Sequence, residues 1–229
     1  MLKRFLIAAM LVMAACQSAA PTETLTITPK VATTTPRWLE TQMNGVSLGL
    51  WRPAGWETDL SQGLVIAEHT VVRNGIIESG LLIYCFVPVL DEFHITPSDV
   101  NYAWAVLAQV VTMPNHTGSD VAVSRPAGFS WDHYPAAYYL LTSGDGVRAL
   151  VIALVVPNTQ EVVVCNVSVP VAQVSRIRSL TPQLLDGLSI NGIVFDGAAL
   201  NDLPDPLPFP RYTLTSTAVD NRVSSGNPP

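Results

Sequence analysis

Residues 136–169 read AAYYLLTSGDGVRALVIALVVPNTQEVVVCNVSV, and this stretch decides the fold. Three apolar runs, Ala136–Thr142, Val147–Val156 and Glu161–Val169, are separated by Ser143-Gly144-Asp145-Gly146 and Pro157-Asn158-Thr159-Gln160. Glycine breaks regular structure by its free φ, proline by its missing N–H, and Asn or Asp by bonding to nearby backbone. Runs rich in β-branched and aromatic residues, joined by such turns, predict an antiparallel meander. Val147–Val156 is apolar apart from Arg148. A strand of that kind belongs in the middle of a sheet, covered on both faces.

Working upstream, a strand near Val46–Trp51 enters the turn Arg52-Pro53-Ala54-Gly55. A second, around Leu64–Val72, meets the hairpin signal Asn74-Gly75 and continues through Ile76-Ile77 into Leu81–Val87. Thr96-Pro97-Ser98-Asp99 then opens a helix: threonine caps, proline suits the first turn, and Asp99 faces the positive end of the dipole. Val100, Ala103, Trp104, Leu107, Val110 and Val111 repeat at helical spacing, which places Trp104 on the core stripe. Downstream of the meander, two helical pieces split at Thr181-Pro182, and a short strand over Ile190–Phe195 closes the domain. Strands, one helix, strands, then helices predict an α+β domain, an antiparallel β-sheet flanked by helices.

The ends of the chain are not fold. Lys3-Arg4, an apolar run from Phe5 to Ala15 and then Cys16 have the layout of an export signal, residues 1–15. The run is too short for a permanent span, which takes about 20 residues. Met13-Ala14-Ala15-Cys16 resembles the lipobox of bacterial lipoproteins. That resemblance implies acyl chains on Cys16 and a membrane-anchored protein on the extracytoplasmic side, with the choice of membrane open. The alternative is a plain secretory cut after Ser18-Ala19-Ala20, with Pro21 awkwardly placed behind it. Residues 16–36 read as a Thr/Pro/Ala-rich tether, residues 37–196 as the globular domain, and residues 197–229 as a Pro-rich extended or disordered tail, on which only Phe209 and Tyr212 are candidates to dock. Removing Lys3 and Arg4 leaves 12 − 2 = 10 basic against 18 acidic residues, and the sole remaining lysine is Lys30. Without a basic stripe, neither nucleic acid nor a polybasic grip on anionic lipid is expected.

Gly45-Val46-Ser47-Leu48-Gly49-Leu50-Trp51-Arg52-Pro53-Ala54-Gly55-Trp56 resembles the opening strand and turn of PsbP-like domains. Tyr138-Tyr139-Leu140, Gly144-Asp145-Gly146, Ala149–Val155, Val162–Val167 and a final helix ending near Leu188-Ser189-Ile190 look like the same family, over about residues 44–195. The resemblance implies an α/β/α sandwich. It also implies an accessory role in which the domain binds other proteins, with no shared catalytic centre.

Motifs that carry chemistry are scarce. His69, His94, His116 and His133 show no metal-ligand spacing, so no metal or other cofactor is expected. There is no Gly-x-Ser-x-Gly elbow and no glycine-rich phosphate loop, and enzymatic activity is not expected. Export permits a disulfide between Cys85 and Cys165. Two buried small hydrophobes are the favoured reading of that pair. Trp51 and Trp56 are expected to clamp the proline turn. Trp131, with His133 and Tyr134, is the candidate exposed binding surface, because polar and aromatic residues alternate there. Together these features point to a cell-envelope accessory protein with a protein partner; a small-molecule or lipid carrier is the alternative.

Overall fold

A computed structural model of the chain describes residues 35–212, apart from 62, 69–70, 74–75, 90–101, 113–120, 157–158 and 160. The elements run β1 (Arg37–Met43), β2 (Val46–Arg52), β3 (Glu57–Asp59), β4 (Leu64–Ala67), β5 (Val71–Arg73), β6 (Ile76–Ser79) and β7 (Leu82–Phe86). They continue with α1 (Tyr102–Thr112), β8 (Val121–Val123), β9 (Ala127–Trp131), β10 (Tyr134–Ser143), β11 (Val147–Val155) and β12 (Val162–Pro170). The last are α2 (Ser175–Leu184), β13 (Leu188–Ile190) and β14 (Ile193–Phe195).

The meander over 136–169 sits where its composition places it. An eight-stranded sheet has the order β3-β4-β7-β12-β11-β10-β8, with β9 also paired to β10. Central β11 is buried on both faces. Leu150, Ile152 and Leu154 point to one core, with Leu140, Val163, Cys165 and Val167. Val151 and Ala153 point to the other, with Ala137, Tyr139, Val162 and Val164, under Tyr102, Ala103, Val106, Leu107 and Val110 of α1. The first core is closed by a four-stranded sheet, β1-β2-β13-β14, together with Ile177 of α2. All strand pairs among the described residues are antiparallel. The domain is therefore α+β, with α1 on one face of the large sheet and α2 plus the small sheet on the other.

Expectation and structure differ in several places. The expected strand over Leu64–Val72 is divided between β4 and β5, which lie in different sheets. Two further differences bear on the first core. The chain does not split at Thr181-Pro182, because Pro182 lies inside the last turns of α2. Proline forfeits one helical hydrogen bond there, but Thr181 Oγ donates to Ile177 O at 2.6 Å and Leu185 N–H donates to Thr181 O. Ile177, Thr181 and Pro182 are buried, so packing holds the turn in place. The start signal at Thr96-Pro97 lies outside the described residues.

The second of these two is the tail. Residues 197–212 dock on the domain. A 3-10 turn, Gly197–Asp202, buries Leu200, and Leu203, Leu207 and Phe209 join the first core. Proline denies this segment a place in a ladder, so its carbonyls need other donors. The Arg178 guanidinium donates to the carbonyls of Asn201, Leu203 and Pro204, and Thr142 Oγ donates to Pro210 O at 2.7 Å. The Tyr212 ring covers Gly144. Residues 213–229 lie outside the described residues.

Candidate functional site

The segment singled out for its aromatic residues is a β-hairpin. Trp131 pairs with Tyr134 across a two-residue turn, Asp132-His133, whose φ angles are 49° and 71°. Positive φ at both turn positions matches the right-handed twist of the strands and usually selects Asn-Gly. Here the Asp132 carboxylate is held by the backbone N–H of Asp196. The alternation of a strand sends Trp131 inward. Its side chain is fully buried, its indole N–H donates to Asp196 O at 2.8 Å, and its ring meets Phe195 edge-to-face at 5.8 Å. Half-buried Tyr134 packs on the same Phe195 at 5.4 Å. The expectation of an exposed Trp131 is thus corrected, and of the three residues only His133 at the tip is exposed.

The other face of this hairpin carries Gly128, Ser130 and Pro135, all exposed. Small residues there leave a groove of about 350 Å³ between the hairpin and α1, lined by Ala103, Trp104, Gly128, Phe129, Ser130 and His133. Trp104 forms its wall. It is 44 % exposed, contrary to its expected place in the core, and its indole N–H donates to Pro126 O at 2.9 Å. The reason is helical phase: Ala103, Val106, Leu107 and Val110 take the buried stripe. Trp104, one residue on, turns about 100° away toward the sheet edge.

That edge is built from one irregular strand. β8 and β9 both pair with β10. Between them Ser124 N–H donates to Leu140 O while Leu140 N–H donates to Ser124 Oγ, so a hydroxyl replaces a ladder carbonyl. Among the described residues, β9 has β10 as its sole strand partner. A strand with one free side is a template for a further extended segment. A Cβ built on Gly128 would make only an ordinary van der Waals contact, with Ala136 O at 3.9 Å, so the groove floor has room for a side chain. The period-two alternation of Gly128 and Ser130 with Phe129 and Trp131 was legible in the sequence as a strand with one small face.

The other candidate residues are placed as follows. Cys85 and Cys165 face each other across β7 and β12 and form a disulfide, which overturns the reading of two free buried thiols. Cys16, His69, His94 and His116 lie outside the described residues. Trp51 is largely exposed and packs on Trp38, while Trp56 packs on the first core and its backbone N–H closes the proline turn on Pro53 O. Among the described residues, no three His, Cys, Asp or Glu side chains gather as a metal site.

No family model and no curated protein matches the chain. Among solved structures, the chain is similar to cyanobacterial PsbP (CyanoP) from Synechocystis sp. PCC 6803 at 14 % identity and a TM-score of 0.45, over 76 % of this chain and 98 % of that one. It is also similar to the Ran-binding protein Mog1p of Saccharomyces cerevisiae at 12 % identity and a TM-score of 0.35, over 63 % and 83 % of the two chains. Likenesses at this level assign neither a family nor a function.

Proposed function

We propose that the chain is a lipoprotein of the extracytoplasmic side, held by acyl chains on Cys16. In this reading its domain acts as a non-enzymatic accessory module. It binds a segment of a partner protein in the groove between α1 and the β9–β10 hairpin. The observation that carries the binding role is the open edge of β9 beside a small-residue floor and an exposed indole. Extended peptides bind such edges through main-chain hydrogen bonds and fill the adjoining pocket with a side chain. The Lys3-Arg4 start, the apolar run and Cys16 support the anchoring, as does the Thr/Pro tether.

The test is Gly128→Leu in the intact protein. The position has space for a side chain and no positive φ, so the variant folds while its side chain occupies the groove. With a photo-crosslinking residue at Ser130, the wild type should capture a recurrent polypeptide in its native membranes, and Gly128→Leu should lose it. Equal capture by both would sink the assignment of the groove. A volume near the low end of small-ligand pockets, about 300–1,000 Å³, supports the carrier reading second. A small molecule co-purifying with the wild type but not with Gly128→Leu would favour it.

A further inference from the structure

The outer face of the four-stranded sheet has a composition that the groove does not explain. On β2, Val46, Leu48, Leu50 and Arg52 are buried, and Ser47, Gly49 and Trp51 form the outward set. The register aligns Trp38 with Trp51, Glu40 with Gly49, and Gly49 with Ser189, which pairs with Val194. Trp51 is 53 % exposed and Val194 66 %, the two most exposed of the large hydrophobic side chains among the described residues. Trp38 packs edge-to-face on Trp51 at 5.5 Å and lies over Gly49, where any side chain would overlap its ring. The polar members of the face are Glu40, Gln42, Ser47 and Ser189, with Ser47 Oγ donating to Glu40 Oε1 at 2.9 Å.

We propose that this face rests on the lipid surface, with the Trp38–Trp51 pair in the headgroup region and Val194 beside it. The inference depends on the anchoring through Cys16 proposed above. Indole rings favour the boundary between headgroups and acyl chains, where an apolar body and a polar N–H are both accommodated. The occupant follows from where the chain goes. β1 is the edge strand by which the chain enters the fold, and Trp38 is its second residue. Twenty residues separate Cys16 from Arg37. A linker of that length reaches about 25 Å as a random coil and about 60 Å as a fully extended Pro-rich segment. Exposed Trp51 and half-buried Trp38 are therefore tethered within that reach of the bilayer. The face lacks Lys and Arg, so the contact does not need anionic lipid. It also lies on the opposite side of the large sheet from α1, which leaves the groove turned away from the membrane.

The experiment uses the full lipidated chain in phosphatidylcholine vesicles, with brominated phosphatidylcholine as the quencher. Wild type, Trp51→Phe and Trp104→Phe are compared by flotation and by indole emission. Flotation is expected for all three. Brominated lipid should quench the wild type and Trp104→Phe alike, and Trp51→Phe should lose the Trp51 share of the quenched component and keep that of Trp38. Flotation with equal quenching in Trp51→Phe and wild type, or with none, overturns the contact and leaves the anchor standing. Failure to float overturns the anchor, and the contact with it. An unquenched Trp51 whose emission instead responds to soluble peptidoglycan fragments makes the face a sugar platform and also overturns the lipid contact.

Discussion

The Cys85–Cys165 bridge allows a prediction with a worked magnitude. The two residues are 80 positions apart, and the bond ties β7 to β12 in the large sheet. Closing a loop of that length in the unfolded chain removes about 4.5 kcal/mol of conformational entropy at 25 °C in the chain-entropy model. The double variant Cys85→Ala/Cys165→Ala should be destabilised by that amount, and the small voids left by two sulfur atoms act in the same direction. For a domain of this size, each kcal/mol shifts the melting midpoint by about 2–4 °C, so a fall of about 9–18 °C is expected. Urea titration with and without reductant is the assay. The variant should also show a steeper urea dependence, because its unfolded state is no longer cross-linked and exposes more surface. Both sulfurs are buried, so reductant should attack the folded wild type only as fast as it opens. Unreduced wild type and variant unfolding at the same urea concentration would refute the reasoning. So would the alkylation of two domain thiols in unfolded, unreduced wild type.

Three further outcomes follow from the packing. Gly197→Ala should destabilise the domain by about 1–3 kcal/mol or more, since a Cβ there would overlap Pro182 O and crowd the Asp186 backbone; thermal melting measures it. Arg178→Ala removes the donor for the Asn201, Leu203 and Pro204 carbonyls, and should cost about 1–3 kcal/mol. Limited proteolysis should then cut near residues 203–210 before the sheet is attacked, and an unchanged cleavage pattern would show that the strap does not depend on the arginine. Alkaline pH should destabilise the fold. Burial pushes the Tyr84 hydroxyl up from 10.0 to about 12, so the unfolded chain gives up this proton first. Its contribution is intact below pH 10 and is lost as the pH rises from 10 toward 12; Tyr84→Phe should flatten that part of the stability profile.

Sequence periodicity was enough for the centre of the fold and not for its margins. The runs at 147–156 and 161–169 carry apolar residues at both phases, and only a doubly covered position satisfies them. β1 is different: Arg37-Trp38-Leu39-Glu40-Thr41-Gln42-Met43 has one fully buried residue, Leu39, and so little period-two contrast. Its better signal was the turn that ends it, Asn44-Gly45, with φ of 49° and 81°. The same pair recurs at Asn191-Gly192 and divides the expected single strand over 190–195 into β13 and β14. The disulfide partners were visible as residues but not as a pair, because register across β7 and β12 is a tertiary fact.

The groove exposes a more general limit. Composition marks 129–134 as aromatic and polar, and both an exposed recognition surface and a buried hairpin have that composition. Strand phase decides between them. Trp131 shares its phase with Phe129 and with the core, whereas Gly128 and Ser130 share the phase that faces α1. The residues that make the groove are therefore the ones with the least side chain, and their importance lies in the volume they leave empty. Trp104 illustrates the same point on a helix. A shift of one residue, about 100° of arc, separates a core tryptophan from one that walls the groove beside a sheet edge, and i, i+3, i+4 counting tolerates errors of that size. If the groove binds a partner segment, enlarging Gly128 should abolish binding, while trimming the conspicuous buried aromatic Trp131 should instead weaken the fold.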